Sequence, residues 1–313
     1  MSLTRELKYS NSPISQWFQA NFDLTPASTK LTEQIGSLDT IKPQGPLASY
    51  PWSTVGHAVE FRLRQACGVK YTDTVAWLGR FAGTAGHLLQ EAVALHWERF
   101  KSSEGPTMGW HLYMAGLAEE VLRSGSQGVF DGYRPVFEQM ERSAEWRRFA
   151  EDLRSQQMGK IRQVDPEAHG CVWALPEVMP VDPNVLSDIQ KVGDLAVSSD
   201  SFQEMKQGGR FIDNPLFSGA EFVGGADGDF IFGRTLYDAK TTIHPETLPA
   251  SALIQIVCYV ALDFYDHYRI EELGIFLPRQ CALAKIALKS ILADSSFDTR
   301  REMQSSLRRT ITR

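Results

Sequence analysis

Cysteine is scarce in this chain. Its 313 residues include four, Cys67, Cys171, Cys258 and Cys281, and no C-x-x-C pair. Such scatter gives no support for a zinc site or an iron–sulfur cluster, and it fits a reducing, cytoplasmic compartment. Long apolar runs are missing too. The most apolar stretch, residues 253–262, is too short to span a bilayer. The first ten residues, MSLTRELKYS, contain no apolar signal region. An excess of positive charge is also absent: 32 Lys and Arg stand against 38 Asp and Glu, a net charge of −6. That excludes a uniformly basic nucleic-acid coat but leaves room for a local basic groove. Neither G-x-x-x-x-G-K-[ST] nor G-x-G-x-x-G occurs, so the glycines at 224, 225 and 228 are not a nucleotide cradle of either type. H-E-x-x-H is absent, which removes the zinc-protease reading of His87 and Glu91.

What the chain does have is apolar content, at 43% hydrophobic and 11% aromatic residues, enough for a sizeable core. It also has one informative stretch, GGADGDFIFGRTLYDAK, residues 224–240. Two short apolar runs flank Gly233-Arg234, and Gly at the first central position suits a type II′ hairpin turn. That turn predicts a register in which Phe232 faces Thr235, Ile231 faces Leu236 and Phe230 faces Tyr237. Asp229 then faces Asp238, with Cβ atoms roughly 4.5–5.5 Å apart. Lys240, two residues past Asp238, falls on the same face. Asp227 faces Lys240 and is a candidate supporting acid. Two carboxylates so close repel, and one is expected to hold a proton unless a cation intervenes. A hard divalent ion that prefers oxygen ligands meets that need, and the Lys supplies a point charge for a phosphate oxygen or a bound water.

These residues resemble the PD-(D/E)XK nuclease superfamily, and within it the RecB-like branch. That branch shows an Asp opening one strand, D-x-K followed by Thr or Ser on the next, then a helix with Q-x-x-x-Y. Here stand Asp229, then Asp238-Ala239-Lys240-Thr241-Thr242, then Gln255 through Tyr259. The resemblance covers roughly residues 50–100 and 220–290. It implies a restriction-endonuclease-like α/β core and Mg²⁺- or Mn²⁺-dependent hydrolysis of phosphodiester bonds, with DNA favoured and DNA processing or antiviral defence as the setting. Asp229, Asp238 and the Ala239 carbonyl would hold the metal, and Lys240 would position hydroxide. Two helices compete to complete the shell. Gly56 and Glu60 resemble a G-x-x-x-(D/E) pattern, although Glu60 could equally pair with Arg64 at i,i+4. Gly83 and His87 resemble a G-x-x-x-H pattern, although His87 could equally be a half-buried helix residue. Gln255 and Tyr259 would orient the Lys or touch the nucleic-acid backbone, and Thr241 and Arg279 are further nucleic-acid candidates. An RNA nuclease, a binding or assembly subunit that no longer cleaves, and a small-molecule phosphoesterase are the alternatives. A homo-oligomer is left open.

The rest of the chain gives coarser expectations. Residues 1–50 read as an arm with a short helix near 14–22, and residues 51–313 as one domain with a helical insertion at about 100–200. Helices are predicted over 51–67, 75–100 and 251–265, and strands over 217–223, 274–277 and 281–287. Residues 164–200 read as irregular, and 202–215 as loop or short helix. Five Arg in the last fifteen residues suggest a helix with a basic face or a frayed tail.

Overall fold

The computed structural model describes residues 3–36, 38–69, 106–124 and 181–312. The chain divides into two compact units, one formed by Met1–Lys42 with Leu195–Arg313, the other by Pro43–Asp194. This differs from the expected arm and single domain. The first 42 residues are no arm, because their apolar side chains fill the first unit's core. Ile14, Trp17, Phe18, Leu31 and Ile35 are all buried in it. Three helices carry them: α1 (Leu3–Lys8), α2 (Pro13–Asn21) and α3 (Thr25–Ile35).

The second unit contains α4 (Trp52–Ala66) and α5 (Pro106–Ser124) among its described residues. Gly116 lets the two backbones meet: a Cβ there would fall 2.3 Å from the Thr54 carbonyl oxygen. The helix predicted over 51–67 is therefore present, and the one predicted over 75–100, with His87, lies outside the described residues. Residues 183–198, expected to be irregular, form α6 (Pro183–Ser198), since Pro183 sits at the helix start, where its missing N–H costs nothing. Within this unit Tyr50 donates to Asp188, and Arg62 binds Asp194 at 2.9 Å.

The first unit is α/β. After α7 (Asp200–Gln207) come β1 (Phe211–Asp213), β2 (Phe230–Phe232) and β3 (Thr235–Ala239). Then follow α8 (Pro249–Leu262), β4 (Glu272–Leu277), β5 (Ala282–Ala287), α9 (Leu288–Ala293) and α10 (Arg300–Ile311). The five strands lie in the order β1-β2-β3-β4-β5. All neighbours are antiparallel except β3 and β4, which are parallel and joined through α8. A parallel pair needs such a crossover.

Period-2 alternation sorts the sheet's faces. Ile231, Leu236, Leu273, Ile275 and Ile286 belong to the core that also holds Leu253, Ile256, Val257 and Val260 of α8. On the other face Phe276 meets Phe202 of α7 at 5.8 Å between ring centres. The Tyr237 ring lies across Gly274, where a Cβ would come within 2.3 Å of its Cδ1. At the outer edge, Gln34 of α3 imitates a sixth strand. Its Nε2 donates to the Lys285 carbonyl at 2.9 Å and its Oε1 accepts from the Lys285 N–H at 2.8 Å. That blunts an edge which could otherwise pair with another chain.

Two local expectations are corrected. Residues 217–223 are not a strand; Ala220–Val223 is a 3₁₀ turn that ends at Gly224, whose φ of +70° stops it. The short strand β1 had no alternating signal, being three residues long and half-buried throughout. No helix among the described residues is long and apolar enough to cross a membrane.

Candidate active site

The hairpin forms with the expected register: Phe230 pairs with Tyr237, Ile231 with Leu236, and Phe232 with Thr235. Only Gly233 of the two turn residues takes a positive φ, +62°, as a type II′ turn requires. The turn is further fixed by Arg234, which binds Glu271 and whose carbonyl accepts from the Glu271 N–H at 2.9 Å. Gly233 also packs against Gly208, whose carbonyl oxygen would lie 2.2 Å from an added Cβ.

This register puts Asp229 and Asp238 on the face that α8 covers. Asp229 Oδ2 accepts from the Ala239 N–H at 2.7 Å. One carboxylate is thus tied to the neighbouring strand at the point where the β2–β3 ladder ends. In an extended strand a residue's N–H and C=O point to the same side, so the Ala239 carbonyl turns toward β2 as well. Lys240 Nζ lies 2.9 Å from Asp238 Oδ1 and 2.8 Å from Oδ2. It also donates to Gln255 Oε1 at 3.2 Å, and Gln255 Nε2 donates to the Tyr259 hydroxyl at 2.6 Å. The i,i+4 spacing of Gln255 and Tyr259 sets them one turn apart on a single side of α8. A continuous chain of polar contacts therefore runs Asp238–Lys240–Gln255–Tyr259.

The electrostatics follow from burial. Asp238 is 3% exposed. Its pKa is pushed up to about 6, first by loss of water, against the pull of Lys240, and further by the charge of Asp229. Tyr259 is held well above the ordinary phenol range, again by burial first and then by Asp238, Asp229 and, least, Asp227. Its hydroxyl therefore stays protonated at neutral pH. Phe217, which had been read as part of a strand, instead stacks on Tyr259 with ring centres 5.2 Å apart and planes 12° from parallel. Sequence alone gave no signal for that role beyond an apolar position.

The remaining candidates separate. Asp227 bridges to Leu216 at the approach to β2 and is half-buried. Thr241 is half-buried just past β3. Arg279, expected at a phosphate, is instead fully buried and donates to the Ile41 carbonyl at 3.0 Å. It sits in the 3₁₀ turn between β4 and β5, facing the N-terminal segment. Glu60 belongs to the other unit, is 8% exposed, and pairs with Arg64 one turn along α4. His87 lies outside the described residues. Cys258, expected in the core, is there with no exposed surface, and burial pushes its thiol pKa up.

The chemistry of the donors suits a hard divalent cation. Two carboxylates share one face, a main-chain oxygen, that of Ala239, follows Asp238 at the end of β3, and Asp238 Oδ2 is buried without a well-angled hydrogen bond despite the nearby ammonium. Among the described residues no group of three or more His, Cys, Asp or Glu side chains is arranged to hold a metal. Asp229, Asp238 and the carbonyl are what these strands supply. No protein family, curated protein or solved structure matches this chain.

Proposed function

We propose that this chain is a Mg²⁺- or Mn²⁺-dependent nuclease of the PD-(D/E)XK type, RecB-like branch, acting on DNA. The observation that carries the reading is the Asp229–Asp238–Lys240 cluster, with Gln255 reaching it from α8. An ordinary hairpin places acids on its wet face. This one buries Asp238 beneath a helix at a cost in solvation, which favours a functional reason for keeping it.

Asp229, Asp238 and the Ala239 carbonyl would hold the cation. When bound, the ion supplies positive charge against the developing charge of the phosphorane and acidifies water. The chain's own groups do the rest. Lys240, fixed by Asp238 and Gln255, holds its ammonium where it can donate to a nonbridging phosphate oxygen or orient the attacking water. Gln255 spaces that ammonium from Tyr259 and keeps its rotamer. Tyr259, protonated and braced by Phe217, fixes the Gln255 amide in one orientation. Mutual repulsion of the two carboxylates raises the affinity of the pair for a cation over that of either alone.

The test is cleavage of single- and double-stranded DNA and of RNA by wild type and D238N in Mg²⁺ and in Mn²⁺. Wild type should cut DNA, and D238N should lose at least about 10²-fold in rate with its circular dichroism unchanged. Equal rates for the two proteins would sink the assignment. Faster cutting of RNA would move the substrate, and salt-dependent binding with no cutting in either metal would make the chain a binding or assembly subunit.

A further inference from the structure

Beyond the end of α8 the chain reads Phe264-Tyr-Asp-His-Tyr-Arg269, an aromatic and basic segment that the cluster on β2 and β3 does not use. It is held rigidly. The Asp263 carboxylate accepts from the His267 N–H at 3.0 Å and from the Tyr268 N–H at 2.9 Å. Asp266 and Arg269 both take positive φ, +53° and +51°. Arg300 of α10 binds Asp266, and the Tyr268 hydroxyl donates to the Leu216 carbonyl at 2.9 Å.

That scaffold presents Tyr265 to solvent at 72% exposure, whereas most other aromatic rings among the described residues are buried or half-buried. Beside it stands Arg308, its guanidinium carbon 5.5 Å from the Tyr265 ring centre and 5.8 Å from that of Phe264. Phe222, 46% exposed, lies 6.2 Å from Phe264. Arg301 is seven residues before Arg308, and so on the same stripe of α10. An open groove of about 480 Å³ lies along the same helix, lined by Phe297, Arg301, Glu302, Ser305 and Arg309. Glu302, the acid among them, is occupied by the capping box at Thr299.

We infer that Tyr265 and Arg308 form a stacking platform for the bases of a single-stranded nucleic acid, whose phosphates then follow the Arg301–Arg309 groove. An exposed ring with a guanidinium beside it is what sequence-tolerant base stacking needs, and an arginine-lined groove complements a phosphate backbone. A duplex, with its bases already stacked, cannot use the rings. The overall charge of −6 makes this a local feature rather than a general attraction. The inference bears on the substrate of the proposed nuclease, because α8 carries Gln255 and leads into this segment, and its C-terminal end lies about 10 Å along the helix from Gln255. It deepens that reading but can be tested apart from it.

The experiment is fluorescence anisotropy of a dye-labelled thymidine oligonucleotide and of a mixed-sequence duplex, in EDTA, over a range of salt concentrations. The proteins are the full-length wild type, Y265A, Y265F, R308A, R308K and D238N. Wild type should prefer the single strand. Y265A should weaken that binding about tenfold or more, and Y265F should restore it. R308A should weaken it and flatten the salt dependence by close to one charge, while R308K recovers the slope but not the full affinity. D238N, which loses cleavage, should keep the preference for the single strand that Y265A lowers, and this separates the two readings. Tyr265-dependent binding without cleavage would leave the platform and remove the nuclease, and cleavage with unaltered Y265A binding would do the reverse. Equal single-strand affinity for Y265A and wild type overturns the platform. So does a Y265A protein altered only in its sedimentation, which would make the patch a protein interface.

Discussion

Asp238→Asn should make the metal-free protein more stable, not less, and the size of the gain tests the electrostatic account of the site. In the folded chain Asp238 is buried and its pKa rises from 3.8 to about 6. The native state therefore binds a proton more tightly than the unfolded state between those two values. Stability falls as pH rises through that window, and above pH 6 the full penalty of an ionised, dehydrated carboxylate is present. A shift of about two units corresponds to roughly 3 kcal/mol. Asn keeps the shape and an oxygen for Lys240 while removing the charge, so at pH 7 it should recover about 2–3 kcal/mol, less whatever Lys240 loses. For a unit of this size that is about 5–10 °C in Tm. Differential scanning calorimetry in EDTA at pH 4 and pH 7 reads it directly. The variant should melt higher at pH 7 and nearly with wild type at pH 4, where Asp238 is already protonated. Adding Mg²⁺ should reverse the order, since wild type alone then has a bound ion to stabilise it. A variant that melts lower than wild type at pH 7 without metal would refute the claim that burial and Asp229 outweigh Lys240.

Lys240→Ala should cut cleavage by about 10²–10³-fold with less effect on KM than on kcat, because the ammonium is assigned to the reacting phosphate. Gln255→Ala should cost less, about tenfold, by freeing Lys240 to swing, and Gln255→Glu should partly rescue it; steady-state kinetics with a fluorogenic oligonucleotide separates these. Gly233→Ala should destabilise by about 1–3 kcal/mol or more, since its φ is positive and its Cβ would collide with the Gly208 carbonyl; urea unfolding measures the loss.

The hairpin was legible because two independent signals met within nine residues. The Gly-Arg turn set the loop, the apolar runs set the alternation, and together they fixed which side Asp238 and Lys240 share. The Q-x-x-x-Y helix was legible because its apolar run, residues 253–262, sets Gln255 and Tyr259 one turn apart. What failed to read was whatever lacked a period. β1 has three residues, so alternation cannot show itself, and Phe217 looked like a strand residue because an apolar side chain says nothing of what it will stack upon. Arg279 was misjudged through its charge: an arginine is assumed to be wet, yet here it is fully buried and its guanidinium donates to the Ile41 carbonyl. The N-terminal segment went wrong in the same direction. Its prolines and polar loops suggested an arm, while Ile14, Trp17, Leu31 and Ile35 are buried in the core of the first unit. The elements misread are those whose role depends on a distant partner. The candidate site escaped that difficulty because its acids and lysine lie on adjacent strands, where turn geometry alone decides who meets whom.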